Sequence, residues 1–344
     1  QQVGRTYYQY PPRRYDIPEG LLREGDNVIT IRFIGKYGMA HFIPEKPYML
    51  CFGADRFSQN PMPQDVLPLS SQWKHHEGVA MPPCPSGDVS LQNMATTLYN
   101  AVLHPLAPYA LSGVVWYQGE SNTGNPAPYA DLLKKMIGNW RTLWQEPTLP
   151  FCVVQLANYD GRQQTGNPQP ITPQTAPVNS NWARLREAQR TVAANDPYTE
   201  LACIIDLGEK VDIHPLRKKE VAERIGLCFD RQVFGKKIQL SPQPVSAECN
   251  TTGEQQGSEV IITFDQPVQG GQAITEMEVA DSNGHFMNVD ETFSEGNKIS
   301  LKSPISDPVK VRYAWKDCPQ ATLRSATGLP VTPFEVKLGE PASR

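Results

Sequence analysis

Between Gly113 and Val233 the chain alternates between two periods, and that alternation limits its possible folds more than any other feature. Short apolar runs at Gly113–Tyr117, Leu149–Leu156 and Leu201–Asp206 have the length of buried strands. Apolar residues recur at helical spacing in the segments that follow them. Leu132, Leu133, Met136, Ile137, Trp140, Leu143 and Trp144 mark a helix within Pro128–Gln145. Trp182, Leu185, Ala188 and Gln189 mark one over Asn181–Ala194, and Val221, Ala222, Ile225 and Phe229 one over Lys218–Val233. Strands alternating with helices at this spacing predict an α/β layer: a mainly parallel sheet with both faces covered. Thr96–Leu106, ahead of the first strand, reads as a further helix ended by Pro105 and Pro108.

The flanks read as β-structure. Val28–Phe33 is rich in strand formers and follows the turn signal Glu24-Gly25-Asp26-Asn27; Tyr48–Phe52 is a second candidate strand. Residues 1–80 are therefore expected to be part of a β-sandwich, joined to the α/β region by a polar connector over 81–95. After Gly235 the period changes back to two. Glu259–Phe264, Met277–Ala280, Lys298–Leu301 and Val309–Trp315 are expected strands, with a turn at Ser282-Asn283-Gly284. They predict a second β-sandwich of roughly a hundred residues. The expected organisation is thus 1–80, 81–238 and 239–344.

Bulk properties exclude several classes. The formal charge is -4 with both signs scattered, so no basic stripe points to nucleic acid. No apolar run approaches the ~20 residues needed to span a bilayer. The seven cysteines form no Cys-x-x-Cys pair, and Cys152, Cys203 and Cys228 sit in apolar contexts that suit buried free thiols. Metal-ligand spacing is absent; His75-His76 has no acidic or cysteine partner at the right distance and reads as surface. Asn250-Thr251-Thr252 is a glycosylation sequon, meaningful in a secreted eukaryotic protein. Trp116, Trp140, Trp144 and Trp182 read as core. The long loop Asn158–Asn181 is a candidate border of a site.

Two stretches carry chemistry. The strand Gly113–Tyr117 stops in the polar cluster Gln118, Gly119, Glu120, Ser121 and Asn122, beyond the carboxyl end of a strand, where open α/β sheets place their sites. A side-chain amide there can donate to a developing oxyanion, Gly119 admits close backbone approach, and Glu120 can accept loop N–H groups. Ser121 is a tempting nucleophile, but a Gly-x-Ser-x-Gly elbow needs glycine at position 123, which is Thr123; a cap ahead of a helix is the plainer role. Asp212 and His214 fall on a strand-to-helix loop. Such a pair can serve as base and orienting acid for a hydroxyl nucleophile. It can equally be a helix cap with a surface histidine, with Pro215 opening the helix.

These stretches resemble a known family. Val115-Trp116-Tyr117-Gln118-Gly119-Glu120-Ser121-Asn122 is similar to a signature block of the sialate O-acetylesterase family, which are SGNH-type carbohydrate acetyl esterases. Asp206-Leu207-Gly208 followed by Asp212-Ile213-His214-Pro215 resembles the block with the triad acid and base. Trp182–Gln189, Val311–Trp315 and Gly328–Phe334 agree in order and spacing. The resemblance implies a flavodoxin-like (SGNH-like) sheet with helices on both faces, flanked by the two β-domains, and no metal or organic cofactor. It makes Asp212 and His214 the triad acid and base, and Gln118, Gly119 and Glu120 the oxyanion loop. The family's serine lies in an early Gly-Gln-Ser-Asn block, and a second block holds Trp-Gly-Gly; neither occurs here. The chain is therefore expected to be the C-terminal half of a longer esterase, whose nucleophile lies upstream. Its partners would be an O-acetylated sugar, with sialic acid first, and either its own N-terminal fragment or an oligomer partner covering an incomplete sheet. Its setting would be secreted, periplasmic or lysosomal. The rival expectation is a non-catalytic carbohydrate-binding protein with a degenerate hydrolase domain.

Overall fold

The computed structural model describes residues 1–6, 13–34, 48–51, 66–69, 73–80, 82, 91, 94–160, 177–210, 212–251, 258–270 and 274–340. The chain divides into two compact units, Gln1–Met94 and Ala95–Arg344. In the first, β1 (Met49–Cys51) pairs antiparallel with β2 (Val66–Pro68). Val28–Phe33 forms no strand there; its strand-forming side chains stay open to solvent, with Val28 90% exposed. Strand propensity is realised only against a partner ladder and a packed face, and that segment acquires neither.

In the second unit the alternation of periods becomes a three-stranded parallel sheet. Its order is β3 (Val114–Trp116), β4 (Phe151–Val154), β5 (Thr199–Ala202). Helix α1 (Tyr129–Leu143) follows β3, α2 (Asn181–Ala194) follows β4, and α3 (Lys218–Gln232) follows β5. The central strand shows why the sequence reads as it does. Successive side chains of β4 point to opposite faces. Phe151 and Val153 pack with Leu133, Ile137 and Leu185 of α1 and α2, whereas Cys152 and Val154 pack with Val221 and Cys228 of α3. Burial on both faces makes the strand an unbroken apolar run. Trp116, Trp140, Trp144 and Trp182 pack against the first of these cores, as expected. Cys152, Cys203 and Cys228 are buried free thiols.

Three local expectations change. The last sheet strand begins at Thr199 and leaves the ladder after Ala202, so the apolar Cys203–Ile205 is buried core rather than strand. Thr96–Leu106 is wound, but mostly as a π turn over Tyr99–Leu103 and a 3-10 turn over His104–Leu106, where Pro105 cannot supply a helical N–H. Pro215 lies ahead of α3 instead of opening it. No described helix is long and apolar enough to cross a membrane.

Beyond α3 the chain forms two antiparallel four-stranded sheets. One has the order β11 (Thr292–Glu295), β12 (Lys298–Ser303), β7 (Ser258–Phe264), β6 (Pro244–Thr251). The other has the order β10 (Phe286–Asn288), β9 (Met277–Ala280), β13 (Lys310–Tyr313), β15 (Phe334–Lys337). A short pair, β8 (Val268–Gly270) with β14 (Leu323–Ser325), joins them. Along β7, Val260, Ile262 and Phe264 point inward and meet Val279, Val311 and Phe334 of the facing sheet in one core. The β9–β10 hairpin turns where expected: Gly284 takes φ 82°, and the Asp281 carboxylate accepts from Asn283 N and His285 N.

Candidate active site

The site residues lie beyond the carboxyl ends of β3, β4 and β5. After β3 the chain makes one 3-10 turn, Glu120–Asn122. Gly119 precedes it with φ 154°, and a Cβ at that position would meet Leu185 Cδ2 at 2.8 Å and Leu156 Cδ2 at 3.1 Å. Only glycine lets the turn sit this close to β4 and α2. Gln118 is held from several directions. Gln189 Nε2 on α2 donates to Gln118 O at 3.0 Å, and Tyr129 Oη at the start of α1 lies 3.1 Å from both Gln118 O and Gln118 Oε1. Trp116 Nε1 donates to Tyr129 Oη at 3.3 Å, and Gln118 Nε2 donates to Asn122 Oδ1 at 2.7 Å. Burial pushes the Tyr129 hydroxyl above its ordinary value, so at neutral pH it keeps its proton. Ser121 is exposed on the 3-10 turn and provides no side-chain cap; Thr123 Oγ1 closes the turn by donating to Glu120 O at 2.8 Å.

Asp212 and His214 lie on the loop between β5 and α3. Asp212 Oδ1 accepts from His214 N at 2.9 Å and lies 3.8 Å from His214 Nδ1. The carboxylate is mostly covered, at 13% exposure, while the imidazole is 48% exposed. The Tyr159 hydroxyl is raised by its own burial and then by the Asp212 and Asp160 charges. Asn158 Oδ1 accepts from Gly208 N at 2.9 Å, Asp160 N donates to Lys210 O at 2.7 Å, and Glu209 Oε1 accepts from Leu216 N at 2.8 Å. Lys218 Nζ reaches back to Tyr117 Oη at 3.1 Å. The two loops therefore flank the β4 tip from either side, two strand spacings or about 10 Å apart at the sheet.

A ring of polar contacts fixes the β4 tip from behind. Arg186 on α2 is fully buried, and burial lowers its pKa to about 10 despite the Asp317 charge. It donates to Leu156 O, Ala157 O, Lys316 O and Asp317 O at 2.6–3.4 Å. Ser180 Oγ caps α2 by accepting from Ala183 N, and donates to Asp317 Oδ1 at 2.6 Å. Between the β3 turn and this cap lies a mainly polar cleft of about 390 Å³, in which Thr123, Asn179, Ser180, Asn181 and Asp317 line the wall together with the apolar Val178 and Trp182. Most of the Asn158–Asn181 loop lies outside the described residues, as does Val211. Tyr129, Gln189 and Arg186 are site-forming residues that the sequence reading passed over. Their signal was a polar residue on an otherwise apolar helix face.

Residues 69–210 match the model of a carbohydrate esterase family, the sialic acid-specific acetylesterases. Over these residues the chain is similar to that family. The match includes Gln118, Gly119 and Glu120, and ends just before Asp212 and His214. The mouse (Mus musculus) sialate O-acetylesterase is 27% identical over 268 residues, covering 73% of this chain and 49% of its own length. The human (Homo sapiens) sialate O-acetylesterase is 41% identical over 58 residues, covering 17% of this chain and 11% of its own length. A crystal structure of a carbohydrate acetylesterase from Xanthomonas citri superposes with a TM-score of 0.59 at 32% identity, over 70% of this chain and 53% of that one. The chain thus spans about half the length of the mouse relative.

Proposed function

We propose that this chain carries the acid, the base and the oxyanion loop of a carbohydrate O-acetyl esterase with an SGNH-like sheet, acting on acetylated sugars and first on O-acetylated sialic acid. The observation that carries the reading is the Asp212–His214 pair, a covered carboxylate behind an open imidazole, set across the β4 tip from the Gln118 amide. A serine attacks the acetyl carbonyl, and His214 takes its proton while Asp212 holds the imidazole and stabilises the imidazolium. The oxyanion accepts from Gln118 Nε2. Collapse expels the sugar hydroxyl, which takes the proton from His214; water then clears the acetyl-enzyme by the same steps. No metal or organic cofactor enters. The polar cleft beside the Gln118 turn suits a hydroxyl-rich ligand better than an apolar one.

The serine is assigned to a portion of the protein outside residues 1–344. Ser121 sits on an exposed 3-10 turn rather than on the strand-to-helix elbow of a serine nucleophile. In keeping with this, residues 1–80 are proposed as part of an inserted β-domain, and 239–344 as a C-terminal sandwich. The remaining portion, or a second copy, would cover the β3 edge of the sheet. A secreted, periplasmic or lysosomal setting suits such a substrate.

Acetate release from an aryl acetate and from O-acetylated sialic acid tests the reading. With the serine-bearing portion present, His214→Ala is expected to lower kcat on the order of 10⁴-fold. Turnover by the 344-residue chain alone, abolished by Ser121→Ala, would overturn the assignment of the nucleophile. The rival reading, a non-catalytic sugar binder, draws on the 3.8 Å between His214 Nδ1 and Asp212 Oδ1, longer than a hydrogen bond. It predicts sugar binding that His214→Ala leaves unchanged, with no turnover.

A further inference from the structure

We infer that Tyr129 and Gln189 are positioning residues that lock the Gln118 side-chain amide with its oxygen inward and its nitrogen toward the site. The inference rests on the esterase reading only for the use to which the amide is put; the lock itself stands on the hydrogen-bond partners around the amide.

Gln189 is the fixed point. It is fully buried on α2, and its Oε1 accepts from Leu156 N at 2.9 Å. A backbone N–H can only donate, so the Gln189 oxygen must face it. Gln189 Nε2 is thereby turned to two carbonyls, Gln118 O at 3.0 Å and Val154 O at 3.4 Å. Tyr129 comes next. Trp116 Nε1 is a donor only, so Tyr129 Oη accepts from it and has one proton left to give. Two acceptors lie 3.1 Å from Tyr129 Oη: Gln118 O, which also accepts from Gln189, and Gln118 Oε1; giving the proton to Oε1 is the arrangement that fixes the side chain. With Oε1 held by Tyr129, Gln118 Nε2 is turned the other way, toward Asn122. One of its hydrogens goes to Asn122 Oδ1 at 2.7 Å, and the second is available to a carbonyl oxygen bound beyond the β3 tip. The opposite orientation would present an acceptor to a developing negative charge and repel it.

The closing experiment has two arms. In the first, the side-chain amide of Gln118 is followed by NMR in the isotope-labelled 344-residue chain and assigned by its loss in Gln118→Met. Tyr129→Phe removes only the hydroxyl. It is expected to shift the Gln118 Cδ and Nε2 resonances while leaving the circular dichroism spectrum as it was. Unmoved resonances would overturn the lock whatever the protein catalyses. In the second arm, kinetics are measured on an aryl acetate with the serine-bearing portion present. Tyr129→Phe is expected to lower kcat roughly 10-fold with KM unchanged, and Gln118→Met roughly 100-fold or more, the usual loss for one oxyanion donor. If Gln118→Met lowers kcat and Tyr129→Phe does not, Tyr129 is no positioning residue. If neither lowers the kcat of a working esterase, the oxyanion role of Gln118 fails while the lock seen in the first arm stands.

Discussion

At the scale of single residues, the site depends on positions that tolerate no added atom and no lost partner. Gly119 is one. The Cβ of Gly119→Ala would press on Leu185 and Leu156, so a loss of about 1–3 kcal/mol is expected in urea unfolding, with disturbance of the Gln118 amide beside it. Asp206 is another. Burial alone would raise its carboxyl, but the paired hydrogen bonds and charge of Arg224, at 2.5 and 3.0 Å, with Arg324 beyond, hold it below the ordinary range. A depressed carboxyl adds stability that is complete above its unfolded value, ~3.9, and disappears as pH falls through the folded value. Asp206→Asn should therefore cost about 2 kcal/mol at pH 7, and the gap from the parent should close in acid below about pH 4. A gap that stays constant with pH would refute the linkage. Much of the proposed site is legible as letters: Gln118, Asp212 and His214 stand out because polar groups end apolar runs there. Tyr129 and Gln189 did not stand out, since each looks like an ordinary member of a helix until the fold brings both to one amide.

At the scale of elements, helices α1, α2 and α3 could be read almost to the residue, and the inner strand β4 to within two residues at each end, because each satisfies one period over its whole length. Errors fell where period and propensity part company. Cys203–Ile205 is as apolar as a strand but lies beyond the ladder, and Val28–Phe33 has strand composition with no ladder to join. In the last hundred residues several short strands, such as β8, β10 and β14, were invisible because three residues cannot display an alternation. Arg186 shows how elements are joined. A side chain that serves carbonyls on the β4 tip and on the loop after β13 cannot be shortened without orphaning several of them. Arg186→Met is expected to lose at least ~3 kcal/mol, read as a fall in Tm. Arg186→Lys should recover only part of it, since one ammonium cannot match the spread of a guanidinium.

At the scale of the whole molecule, among the described residues no strand pairs with the outer edge of β3. Val115 on β3 is 45% exposed, and Leu98, Val102 and Leu106, at helical spacing, are each more than half exposed. Unpaired strand edges and apolar stripes of this kind attract a partner. The isolated 344-residue chain should therefore sediment as more than a monomer or bind a hydrophobic dye, and Val115→Glu with Leu98→Glu should weaken both. A monodisperse monomer indifferent to the dye would exclude the proposed cover. The Arg186 strut has a consequence in time as well. Its carbonyl partners Lys316 and Asp317 lie 130 and 131 positions downstream. On the ribosome, α2 and the sheet emerge long before them, so the guanidinium waits with two of its four acceptors, Lys316 O and Asp317 O, untranslated. Nascent chains arrested ahead of Lys316 would hold the α/β layer but not a set β4 tip, and the site would take shape only in the last stretch of synthesis.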